Sequence, residues 1–89
     1  MNDFFKNMTV EEAEQIQSLT RLVYELRENR SALLAQYSAD NEQALLQKIT
    51  AGQVSEHPAY EHYLSASILS QAKESIREDL KNYLQEIGK

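Results

Sequence analysis

Two glycines and one proline in 89 residues leave this chain few places to turn. Both residue types break helices, proline most severely, so long stretches without them can stay helical. The breakers fall at Gly52, Pro58 and Gly88. They leave two uninterrupted stretches, roughly residues 10–36 and 58–87, each about 40 Å long as an α-helix at 1.5 Å per residue. Hydrophobic residues make up 42% and charged residues 26% of the chain, a globular balance that argues against disorder. The expected fold is all-α, with two long amphipathic helices joined by a short third. A three-helix bundle and a long helical hairpin both fit that reading.

Local signals place the ends. Thr9 with Glu12 forms a capping box, and Met8 with Ala13 occupies the positions of a hydrophobic staple. Glu11, Glu12 and Glu14 put negative charge at the positive end of the first helix. Its apolar stripe follows a regular three-four spacing through Ile16, Leu19, Val23, Leu26, Leu33 and Tyr37, widened by Leu22 and Leu34. Ser38 to Asp40 break the chain. Asp40 and Gln43 make a second capping box for a short helix over about 41–51, closed by Gly52 as a C-terminal cap. Pro58 suits the first turn of the third helix, over about 58–87. Residues 1–8 read as an N-terminal arm and 9–89 as a single helical domain.

The third helix carries a stripe that shifts. Tyr60, Tyr63, Leu64 and Ile68 share one side, whereas Ala72, Ile76, Leu80, Tyr83, Leu84 and Ile87 lie rotated by more than about 90° from it. Such a pattern suits a helix with a different neighbour at each end. The expectation is that the short helix covers the first half and a long helix covers the second.

Two helices of about 40 Å outrun one short helix of about 16 Å. A lone chain would leave an apolar seam partly open, and monomers rarely expose patches beyond a few hundred Å². The expected remedy is a homodimer of coiled-coil character; a larger partner protein is the other. Candidate interface residues are Ile16, Leu19, Val23, Leu26, Arg30, Leu33, Ile76, Leu80, Tyr83 and Ile87. Arg30 lies inside the stripe where an apolar residue belongs. Either it buries its stem and frees its head, or it meets an acidic residue across an interface, Glu61 or Asp79. Phe4 and Phe5 either fold back over the bundle end or form an aromatic anchor for another protein.

Chemistry is sparse. There is no cysteine, which excludes thiolate metal sites and thiol nucleophiles. His57, Glu61 and His62, with Glu56 nearby, form the one local group of metal-type ligands. The two histidines are five apart and diverge by about 140° on a helix, unlike the zincin spacing. The plainer reading is a helix start, with His57 or Ser55 as cap and Glu61 complementing the dipole. Ser65, Ser67, Ser70 and Ser75 sit mid-helix, where they allow close helix approach instead of forming a nucleophile elbow. No glycine-rich phosphate loop exists. Neither a catalytic residue, a cofactor nor a metal is expected.

Lys73, Arg77 and Lys81 stand four apart and make a basic ridge, interrupted by Glu74, Glu78 and Asp79. The net charge of −5 opposes phosphate backbones, so nucleic acid is a poor candidate partner. No secretory signal is seen in the first eight residues and no apolar run reaches the ~20 residues of a membrane span, so a cytoplasmic location is expected. The expected function is that of a small non-enzymatic helical interaction module: a homodimeric regulator, inhibitor, antitoxin-like neutraliser or assembly factor acting on a larger protein. The alternatives are a nucleic-acid-linked regulator using Lys73, Arg77 and Lys81, and a metal-binding or enzymatic helper using His57, Glu61 and His62.

Overall fold

A computed structural model describes residues 8–87 as three helices: α1 (Val10–Ala35), α2 (Glu42–Thr50) and α3 (Glu56–Ile87). The two long helices pack against each other, and α2 packs on α3. The molecule measures 55 × 19 × 18 Å, so both long helices must lie along the long axis. Tyr37, just past the end of α1, touches His62 near the start of α3. The pair is therefore an antiparallel hairpin, with α2 folded against its closed end.

The start of α1 follows from its first residues. The Thr9 hydroxyl accepts from the Glu12 amide at 3.1 Å, and Glu12 accepts from the Thr9 amide at 2.9 Å. Both partners of the capping box are thus satisfied. At the other end, Ala39 N–H donates to the Leu34 carbonyl and Ser38 N–H to that of Ala35. This is a Schellman closure, and it requires the left-handed backbone that Ser38 adopts at φ 53°. Gly52 makes the same closure after α2, at φ 74°, with Gln53 donating to Lys48 and Gly52 to Ile49.

One local expectation is corrected. The cap of α2 is Asn41, whose side chain accepts from the Ala44 amide at 2.8 Å, and the helix begins at Glu42. Asp40 does not fill that role, because the α1 closure ends at Ala39 and the next residue still belongs to the turn. In α3, Glu56 precedes a residue with extended backbone, His57 (φ −110°, ψ 129°), and regular helix runs from Pro58. That geometry follows from the proline, which excludes helical values from the residue before it.

The core sits at the closed end. Leu34, Ala39, Leu45 and Ala66 are buried together, with Leu33, Tyr37, Ala44, Ile49 and Tyr63 packed around them. Ala59 and Ala66 are fully buried, and their small side chains let other segments approach the α3 backbone closely. That choice of face overturns part of the stripe reading. Tyr63 turns toward the core, but Tyr60, Leu64 and Ile68 are left exposed instead of lying under α2. Farther along the hairpin, Ile16 is buried, while Leu19, Val23, Leu26, Ile76, Leu80, Tyr83 and Ile87 are half-buried. No helix among the described residues is long and apolar enough to cross a membrane.

Candidate interaction surface

The polar residues with the most developed geometry lie where α2 begins. Arg30 extends from α1 and donates two hydrogen bonds to Glu42 at the start of α2, from Nε and Nη2, each 2.5 Å. The two side chains are only 19% and 17% exposed. Fork-to-fork pairing of this kind joins charge to fixed geometry. The hydrogen bond from Arg30, opposed by burial and reinforced by Arg30 and Lys73 charge, holds the Glu42 carboxyl below the usual carboxylate range. Arg30 is raised in turn by the same bond. Lys73, half-buried on α3, lies 3.9 Å from Glu74. Arg30, Glu42 and Lys73 thus bring charges from all three helices together.

This resolves the Arg30 alternatives differently from either expectation. The acidic partner is Glu42 of the same chain, not Glu61 or Asp79 across an interface. Arg30 does not leave its head free in solvent either. The reason is the turn: closure through Ser38 sends the chain back along α1 and sets the start of α2 beside a residue twelve positions earlier.

Other polar groups are also engaged within the chain. Lys48 of α2 donates to the Tyr37 carbonyl at 2.7 Å and approaches that of Ser38 at 3.4 Å. A cation there satisfies acceptors left over at the end of α1. The Tyr37 hydroxyl is hydrogen-bonded to His62 Nδ1. His57 Nδ1 meets Glu61 at 2.6 Å, and that bond holds the Glu61 carboxyl below its usual range. His57, Glu61 and His62 are therefore split between two separate pairs. Among the described residues, no group of three His, Asp or Glu side chains is placed to hold a metal ion.

Of the candidate interface residues on α1, Ile16 is buried and Leu19, Val23, Leu26, Arg30 and Leu33 are half-buried within the single chain. Ile76, Leu80, Tyr83 and Ile87 are half-buried at the open end of the hairpin. Arg77 and Lys81 of the basic ridge are exposed beside Glu74 and Glu78, with which they share a polar depression. Lys73 is half-buried, unlike the other two. Phe4 and Phe5 lie outside the described residues.

What remains open is apolar. Tyr60, Leu64 and Ile68 are 41%, 44% and 65% exposed, four apart on one line of α3. On α1, Ala13, Ile16, Gln17, Thr20, Arg21 and Tyr24 line an open groove of about 730 Å³.

A family model, Uncharacterized protein MJ0235 family, matches residues 5–89. The chain belongs to this family. No curated protein and no solved structure matches it. In this MJ0235-family chain the sequence signal for the α3 line was present, because Tyr60, Leu64 and Ile68 recur every four residues. Their exposure was not legible, since it depends on which α3 face the core selects. The Lys48 cap on α1 was also missed; a lysine late in a short helix carries no mark of the carbonyls it will meet.

Proposed function

We propose that this protein is a non-enzymatic helical interaction module that works as a homodimer and, in that form, acts on a larger protein. The observation that carries the reading is exposed apolar surface. Tyr60, Leu64 and Ile68 are 41%, 44% and 65% exposed along α3, and Leu22 and Tyr24 are 39% and 54% exposed on α1. Grouped apolar exposure of this kind marks an interaction surface. Shape agrees. The radius of gyration is 17.5 Å, against about 12 Å for a compact domain of this length and about 16 Å for one of twice the length.

The chemistry supports the same reading. Arg30 with Glu42, Lys48 with the end of α1, Tyr37 with His62, and His57 with Glu61 are each occupied in contacts within the chain. Every buried side-chain nitrogen or oxygen among the described residues has a hydrogen-bond partner. The polar groups thus serve to place helices, and the unused resource is apolar surface.

Multi-angle light scattering of the full chain across about 1–100 μM tests the first step. A mass near twice 10.3 kDa is expected. A single species of 10.3 kDa over that whole range would rule out the homodimer.

A further inference from the structure

Accepting the homodimer, we infer that two copies meet through α3, antiparallel about a two-fold axis at Leu64, with Tyr60 of each packed on Ile68 of the other. The first observation is exposure. Tyr60, Leu64 and Ile68 are the large apolar residues of α3 that the chain leaves most open, and the two flanking ones are equally spaced about Leu64. A line of this kind is self-complementary under a two-fold axis: the outer residues exchange places and the central one meets itself. Tyr60 is also stacked on the core residue Tyr63, ring centroids 6.0 Å apart, which holds its ring in place against the helix. A pre-positioned aromatic loses little freedom when it is covered.

The second observation is charge. Besides the apolar line, the same side of the regular part of α3 carries Glu61 toward its start. In the antiparallel register, Glu61 falls opposite the uncharged Ser67. A parallel pairing would set Glu61 against Glu61, a repulsion that the antiparallel register avoids. Glu61 is also held on this flank by its hydrogen bond with His57, 2.6 Å away.

The test uses the absence of cysteine in the chain. Helices packed at about 8–10 Å bring facing Cα atoms to within about 5 Å, inside disulfide range. Leu64→Cys is therefore expected to form a covalent dimer under mild oxidation at micromolar concentration. Ser18→Cys, on an exposed position of α1, is expected not to. Separately, Ile68→Glu is expected to weaken dimerisation at least about 100-fold by sedimentation equilibrium, because it forces a carboxylate against apolar surface. Circular dichroism should show its helices intact, since Ile68 contributes little to the chain's own core. A wild-type dimer in which Leu64→Cys does not cross-link and Ile68→Glu still pairs would overturn the α3 interface and leave the homodimer standing. A wild-type monomer would remove both.

Discussion

The pairing of Arg30 with Glu42 is the contact whose removal tells most about how the hairpin is held. Replacing Glu42 by leucine leaves the Arg30 guanidinium, only 19% exposed, without its partner. A hydrogen bond to a charged group is worth about 1.5–3 kcal/mol, and stranding a fully buried charge costs about 3–5 kcal/mol. Both heads retain some access to water, so about 2–3 kcal/mol is expected for Glu42→Leu, and about 2 kcal/mol for Arg30→Met. The double variant strands nothing and replaces the pair by two apolar side chains, so its loss should be about 1 kcal/mol or less. The singles then overstate the double by roughly 3 kcal/mol, a coupling far outside the ~0.5 kcal/mol expected of independent sites. Urea unfolding followed by circular dichroism, with all four proteins at one fixed concentration, measures the cycle. If the two single losses add up to the double loss within about 0.5 kcal/mol, the pair does not tie α1 to α2. Acid gives an independent reading. Glu42 has a depressed pKa in the folded chain, so its contribution is present in full above the unfolded carboxyl pKa of about 4.3. It is lost as pH falls from there through the lower folded value. Arg30 stays charged throughout. The wild type should therefore lose stability more steeply than the double variant below about pH 4.3, and parallel curves would contradict the pairing.

Two smaller perturbations test the turn on which that contact depends. Ser38 sits at φ 53°, where a non-glycine residue costs about 1–2 kcal/mol; glycine removes that cost but loses about 0.5–1 kcal/mol of chain entropy, so Ser38→Gly should raise stability by about 0.5–1 kcal/mol in urea unfolding. A fall in the urea midpoint would contradict the Schellman closure. Asn41→Ala should cost about 1 kcal/mol and Asp40→Ala less than about 0.5 kcal/mol, and the reverse order in thermal melts would return the cap to Asp40.

Signals confined to one turn of chain were legible. Thr9 and Glu12 meet as their spacing requires, Gly52 closes α2 in the left-handed region, and Pro58 opens the regular part of α3. Each depends on backbone groups three to five residues away, so sequence alone nearly determines the outcome. The cap of α2 failed by one residue for the same reason inverted. Asp40 and Asn41 are chemically equivalent as caps, and the choice was made by how far the preceding closure ran, to Ala39.

Helix faces followed a different rule. The stripe of α1 was straight, and Ile16, Leu19, Val23, Leu26, Leu33 and Leu34 are buried or half-buried as the spacing names them, because one long neighbour lies along it; Leu22, read as widening that face, is 39% exposed instead. On α3 the large residues competed with the small ones for the core. Ala59 and Ala66 won because they let backbones approach, and they drew Tyr63 inward while turning Tyr60, Leu64 and Ile68 out. Arg30 belongs to the same class of outcome. A charge inside an apolar stripe marks a site where something must come to meet it, but its partner lay twelve residues away, across a turn set by Ser38. Once Glu42 is fixed there, α2 covers only the closed end of the hairpin: nine residues, about 14 Å, against the ~39 Å of α1. The ionic junction that completes the closed end therefore also limits how far α2 can shield the rest. The apolar line on α3 lies beside that same closed end and stays open for a different reason: the core takes the face of Ala59, Ala66 and Tyr63.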